Sequence, residues 1–143
     1  MTFCTFQRWQ LPGTARQIVM RSCLHDKGTR YDLLASVVMP DHVHMILIPL
    51  VDEKEQKTWA MPEILDAVKG ASAHLINKNL SRHGPVWQQE SFDHVLRSSE
   101  SLDAKIQYVL DNPVRRGLVA NSVEYRWLWY QEPENPYRPD VPA

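Results

Sequence analysis

The sequence predicts an α+β domain built on one antiparallel sheet, and three observations carry that expectation. Short runs rich in Val, Ile, Leu and aromatic residues, at 2–6, 31–39 and 42–50, have the length and composition of strands. Longer segments alternate with them, and their apolar residues recur every three or four positions, as helices require. Pro and Gly fall at the joints, in Leu11-Pro12-Gly13, Pro40-Asp41 and Gly84-Pro85. At 143 residues and 43% hydrophobic, the chain has enough apolar material for one domain with its own core.

Thr2 to Phe6 alternates polar and apolar side chains, as a half-buried strand does. Thr14 is placed to cap a helix from Ala15 to His25, with Ile18, Val19, Cys23 and Leu24 at helical spacing, and Asp26-Lys27-Gly28 ends it. Tyr31 to Met39 and His42 to Leu50 read as a central hairpin turning at Pro40-Asp41, and Val51 to Thr58 as a polar loop. A second helix is expected over Pro62 to Leu80, because proline is tolerated in a first turn and Ile64, Leu65, Val68, Leu75 and Ile76 form one side. Val86 to Leu96 suits a last extended segment, with Asp93-His94-Val95-Leu96 in the sheet. A third helix, Ser101 to Asn112, carries Leu102, Ile106, Val109 and Leu110 and is expected to stop before Pro113. Trp127, Trp129 and Tyr130 form an aromatic cluster that pins the C-terminal segment to the body. Residues 1–131 make one domain, and a Pro-rich tail, 132–143, follows. The βαββαβ order is that of the ferredoxin-like fold, an antiparallel sheet with two helices on one face, here with an added C-terminal helix. The other face stays available for a ligand.

Composition narrows the function classes. No run approaches the roughly 18 apolar residues of a membrane span, and the first residues lack the charged-then-apolar layout of a secretion signal, so a cytoplasmic protein with no membrane partner is expected. Cys4 and Cys23 are the only cysteines and have no Cys-x-x-Cys spacing, which argues against a disulfide scaffold or a zinc knuckle. The formal net charge of −1 does not advertise a nucleic-acid binder. However, acidic residues gather at Asp52, Glu53 and Glu55 and at Glu132, Glu134 and Asp140, leaving a basic body with Arg97, Lys105, Arg115 and Arg116. A local phosphate-binding face is compatible with that distribution.

Two motifs carry chemistry. In Met39-Pro40-Asp41-His42-Val43-His44, the strand period of two throws both imidazoles onto one face while Val43 points away. Two neutral imidazoles on a rigid strand can hold a divalent metal and leave most of its coordination sphere open. In Tyr108-Val109-Leu110-Asp111-Asn112-Pro113-Val114-Arg115-Arg116-Gly117, Tyr108 and Asn112 are four residues apart and share one helix face. Asn112 can offer a neutral oxygen to a hard cation, and Tyr108 a phenolic oxygen to a phosphorus centre. Structural roles compete with each of these: half-buried strand histidines, an Asn C-cap before proline, an amphipathic surface tyrosine.

Together with Val86-Trp87-Gln88-Gln89-Glu90-Ser91-Phe92-Asp93-His94-Val95-Leu96-Arg97, the two motifs resemble the single-tyrosine HUH transposases, most closely the REP-associated tyrosine transposase (RAYT) group. The resemblance spans residues 2–119. It implies an enzyme that nicks and rejoins single-stranded or hairpin DNA, typically at repetitive extragenic palindromes. His42 and His44 would be metal ligands, Asn112 the third ligand, and Tyr108 the nucleophile that becomes 5′-phosphotyrosyl and frees a 3′-hydroxyl. Mg²⁺ or Mn²⁺ would be the cofactor. Monomer and homodimer both occur among relatives, and the RAYT likeness favours the monomer. Arg97, Lys105, Arg115, Arg116 and Lys69 are candidate DNA contacts; Ser72 and Asn77 join Lys69 as further candidates on the second helix. Trp87 and Phe92 are either core residues or stacking platforms for unpaired bases, and His94 either a sheet residue or a DNA contact. A histidine-triad hydrolase is disfavoured because Ile46 stands where a further histidine is needed. A domesticated hairpin-binding module without turnover is the remaining alternative.

Overall fold

The computed structural model describes residues 1–96 and 98–131. Its elements are β1 (Thr2–Thr5), α1 (Gly13–His25), β2 (Tyr31–Val38), β3 (His42–Pro49), β4 (Val51–Asp52), β5 (Lys57–Thr58), α2 (Met61–Asn79), β6 (Trp87–Phe92), α3 (Ser99–Arg115) and β7 (Leu128–Tyr130). The main sheet has the order β6-β1-β3-β2-β7, and every neighbouring pair is antiparallel. Its first four strands reproduce the expected βαββαβ topology, with β1 and β3 innermost.

Alternation along β3 divides the core into two layers. Val43 and Met45 point to one face, where Phe3 and Leu33 join them beneath Ala15, Val19, Met20 and Cys23 of α1 and Ile64, Val68 and Ile76 of α2. Ile46 points to the opposite face and packs with Ala35, Val37, Met39 and Tyr125 under Val109 of α3. The Tyr125 hydroxyl donates to the Val38 carbonyl oxygen at 2.6 Å, tying the segment after α3 to the end of β2. Thus α1 and α2 cover one face, and α3 lies across part of the other. Among the described residues no helix is long and apolar enough to cross a membrane.

Besides α1, which starts at Gly13 with Pro12 rather than Thr14 in the N-cap position, four details depart from the sequence reading, each for a physical reason. The aromatic segment near residue 128 does more than pin the chain: it pairs with β2 and makes a fifth strand. Residues 93–96 lie outside the sheet, because Phe92 already pairs with Thr2, the first residue of β1, and no strand continues opposite them. The segment 51–58 contains the small β4–β5 hairpin. Finally, α3 runs through Pro113 to Arg115. A proline keeps a helical φ and forfeits only one N–H, so the helix continues until Gly117, at φ +71, reverses the chain. There Leu118 N–H donates to the Pro113 oxygen and Gly117 N–H to the Val114 oxygen, both at 3.0 Å, the paired bonds of a Schellman ending.

Candidate active site

The site is built where β1, β3 and α3 meet. His42 and His44 share the α3-facing side of β3, with ring centroids 4.9 Å apart and planes at 79°. Each ring is held at Nδ1. For His42 the partner is Asp41 Oδ1 at 2.7 Å; for His44 it is Thr2 Oγ1 at 2.8 Å, from the residue directly opposite on β1. Neither Nε2 has a hydrogen-bond partner among the described residues. His42 is only 4% exposed.

α3 brings the tyrosine to this pair. The Tyr108 ring stands edge-on to His44 at a centroid distance of 5.9 Å, and the residue remains 46% exposed. Two cations flank the ring: the Arg115 guanidinium lies 3.9 Å from its centroid and the Lys105 ammonium 4.9 Å. Arg115 Nη2 also donates to the Tyr108 carbonyl oxygen at 2.7 Å, which ties the end of α3 back to the backbone of Tyr108. Continuation of the helix past Pro113 is what places Arg115 there.

One turn beyond Tyr108, Asn112 is 2% exposed, and its Nδ2 is buried with no hydrogen-bond partner. An orphaned buried amide group is costly unless something binds it. Rotation of the carboxamide exchanges nitrogen for oxygen, so the same place can present a ligand oxygen. No cluster of three or more His, Cys, Asp or Glu suited to a metal occurs among the described residues, and Asn112 is a neutral group that could serve beside the histidine pair. Two Nε2 atoms and one carboxamide oxygen could hold a divalent ion; imidazole nitrogens suit borderline ions, so Mn²⁺ fits this set better than Mg²⁺, which prefers an all-oxygen shell.

Electrostatics agree. Burial, followed by the charges of His42 and Lys105, pushes the His44 imidazole down to about 3. Burial likewise lowers His42, with the Asp41 bond working against it. Burial pushes the Asp41 carboxyl up, but the hydrogen bond from His42 and the charges of His42, Arg8 and Arg116 outweigh it and hold Asp41 below the usual range. Both rings are therefore neutral near pH 7, the form that binds metals, and Asp41 is ionised. Arg8 reaches Asp41 at 3.3 Å from a turn in which Gln7 and Arg8 both take left-handed backbone conformations, at φ 53 and 55.

The other candidates divide. Arg116 lies close enough for its charge to act on both His42 and Asp41. Arg97 lies outside the described residues. Lys69 sits on α2, on the far side of the sheet, and its ammonium donates to the Gln88 carbonyl oxygen at 2.7 Å and to Ser91 Oγ at 2.9 Å. Ser72 is buried and accepts from Trp87 Nε1 at 3.0 Å, while Asn77 Nδ2 donates to the Gly84 oxygen at 2.9 Å. Trp87 packs edge-on against Phe3 in the core, whereas Phe92 is 61% exposed and continues the row Phe92, Thr2, His44 across three strands on the active face. Thr2 and Asp41 are site residues that sequence reasoning does not single out. Asp41 adjoins His42 in the chain, which is a usable signal; Thr2 gives none, since its partner is fixed only by strand register.

The family model described as "Transposase IS200 like" matches residues 3–112, which include the histidine pair, Tyr108 and Asn112. The chain belongs to the IS200-like transposase family. Among proteins similar to it, a REP-associated tyrosine transposase of Escherichia coli K12 is 27% identical over 116 residues, covering 79% of this chain and 63% of that protein. A protein of Haemophilus influenzae named as a REP-associated tyrosine transposase is 26% identical over 101 residues, covering 62% of this chain and 53% of the relative. This IS200-like chain thus spans between about half and two thirds of the length of these relatives. A solved structure of a REP-associated tyrosine transposase bound to a REP hairpin has the same fold, with a TM-score of 0.71 at 22% identity, covering 89% of this chain and 72% of the other. The RAYT likeness read from the motifs is borne out by these matches.

Proposed function

We propose that this IS200-like chain cuts and rejoins single-stranded DNA beside a hairpin through a covalent 5′-phosphotyrosine at Tyr108. The observation that carries the reading is the approach of Tyr108 to His44, at 5.9 Å between ring centroids, within one chain. No partner copy is needed to complete the site, which supports a monomeric catalytic unit.

A phosphodiester resists nucleophiles because its oxygens are negatively charged. Bound between His42, His44 and Asn112, a divalent cation would polarise the scissile phosphate. All three ligands are neutral, so the ligands themselves would add no negative charge, and the nearest carboxylate is that of Asp41 behind His42. Tyr108 supplies the attacking phenolic oxygen: a P–O bond to tyrosine forms, the bond from phosphorus to the 3′-oxygen breaks, and that oxygen leaves as a hydroxyl after taking a proton. The Arg115 guanidinium and the Lys105 ammonium lie against the Tyr108 ring and are available to meet the phosphate that it attacks. The phosphotyrosine conserves the energy of the cut bond, so attack by a 3′-hydroxyl reverses the step without ATP. Arg116 and Arg8, near His42, are placed to meet phosphates of the bound strand, and exposed Phe92 offers a stacking face for an unpaired base. The REP hairpin bound by the structural neighbour, and the names of the two relatives, support REP-like hairpins as the substrate class.

The test is a hairpin-bearing oligonucleotide labelled at its 3′ end and incubated with Mn²⁺. Wild-type protein is expected to capture the label covalently, and Tyr108→Phe to capture none. Hairpin binding without any adduct from the wild type would overturn turnover and leave a binding module.

A further inference from the structure

We infer that Thr2 and Asp41 are positioning residues that set the tautomer of the two histidines, so that both Nε2 lone pairs are presented together toward the α3 side. The inference deepens the proposed metal site and rests on that reading of His42 and His44. A neutral imidazole carries its proton on one nitrogen and offers a lone pair on the other, and in solution the two forms interchange. A ring that must ligate through Nε2 binds better when a fixed acceptor holds the proton on Nδ1.

Asp41 meets this requirement for His42. A carboxylate has only acceptor sites, so the 2.7 Å contact between Nδ1 and Oδ1 assigns the proton to Nδ1. Arg8, 3.3 Å from the other carboxylate oxygen, fixes the orientation of the group and leaves Oδ1 for the ring. Thr2 stands in the same relation to His44, from another strand. The residues are directly opposed in the β1–β3 register, and Thr2 Oγ1 lies 2.8 Å from Nδ1. A hydroxyl oxygen can accept that N–H and direct its own proton elsewhere. Two acceptors, one in the Pro-Asp turn and one on the neighbouring strand, thereby pin two rings 4.9 Å apart by the same atom. His44 contributes an open lone pair only while β1 stays registered against β3, so assembly of the sheet and of the metal site is one event.

Nitrogen-detected NMR of the imidazoles in the metal-free full chain reads the tautomers directly, and electron paramagnetic resonance of added Mn²⁺ reads affinity without DNA. The expected result is Nδ1–H on both rings. Thr2→Val keeps the shape and strand preference but removes the acceptor: His44 should move toward the Nε2–H form, and Mn²⁺ affinity should fall roughly 10- to 100-fold. Thr2→Ser should restore both. Asp41→Asn, whose amide can donate to a bare Nδ1, should invert His42 in the same way. Nε2–H on either wild-type ring, or an unchanged His44 tautomer and Mn²⁺ affinity in Thr2→Val, would overturn the inference. If wild type formed no DNA adduct yet showed both tautomers and bound Mn²⁺ as expected, the nuclease reading would fall and this one would stand.

Discussion

Replacing His44 with Asn should flatten the acid sensitivity of folding, and the size of the effect follows from where the ring is held. In the folded protein the imidazole sits at about 3 rather than 6.5, first because burial disfavours its charged form and then because His42, once acid has protonated it, and Lys105 repel a further positive charge. Between these two values the unfolded chain binds the proton and the folded one does not, so stability falls as pH drops through 6.5 and continues to fall toward 3. From pH 6.5 to 5.0 the interval is one and a half units at about 1.4 kcal/mol each, a ceiling of about 2 kcal/mol. His44 keeps some contact with solvent, which lowers the expected figure to about 1–2 kcal/mol. An Asn side chain retains a donor near the Nδ1 position for Thr2 but cannot titrate. Urea unfolding at pH 7.0 and 5.0, both in EDTA, gives the loss for each protein. Contributions from the carboxylates cancel in the difference between them, which reads His44 together with its coupling to His42. If wild type and His44→Asn lose the same stability over this range, the ring is not held neutral by its surroundings.

Other expectations concern the groups around the ring and the core. Arg115→Gln removes the guanidinium 3.9 Å from the Tyr108 ring; at about 1 kcal/mol of lost stabilisation, single-turnover adduct formation should slow roughly fivefold with the fold intact by circular dichroism. Asn112→Asp places an unpaired carboxylate where exposure is 2%, so the metal-free protein should melt lower, while saturating Mn²⁺ should raise its midpoint more than that of the wild type. Equal Mn²⁺ shifts in the two proteins would remove Asn112 from the ligand set. Ser72→Ala strands the buried Trp87 Nε1–H, which donates to Ser72 Oγ at 3.0 Å, and should cost about 1–3 kcal/mol in urea unfolding.

The parts of this molecule that can be read from its sequence are those set by local periodicity. His42 and His44 must share a face once residues 42–48 form a strand, and Tyr108 and Asn112 must share one once α3 forms. The order of elements then fixes the sheet topology. Features set by distant pairing are hidden: Thr2 opposite His44, Phe92 extending the same row, and the three-residue β7, too short to show alternation of its own. The end of α3 eludes the sequence because Pro113 looks like a stop. A proline interrupts one hydrogen bond, and the preceding turns with their buried Val109 outweigh it. Only with the helix continued can Arg115 be placed against Tyr108.

The bonds that Lys69 makes to β6 have another consequence. β6 lies at the border of the sheet, where main-chain groups without a neighbour invite a strand from a second molecule. An ammonium reaching over from α2 to Gln88 and Ser91 presents positive charge along that border, and an incoming strand would have to displace it before zipping on. The same lysine that ties the outermost strand to α2 would thereby oppose the addition of a second strand at that border.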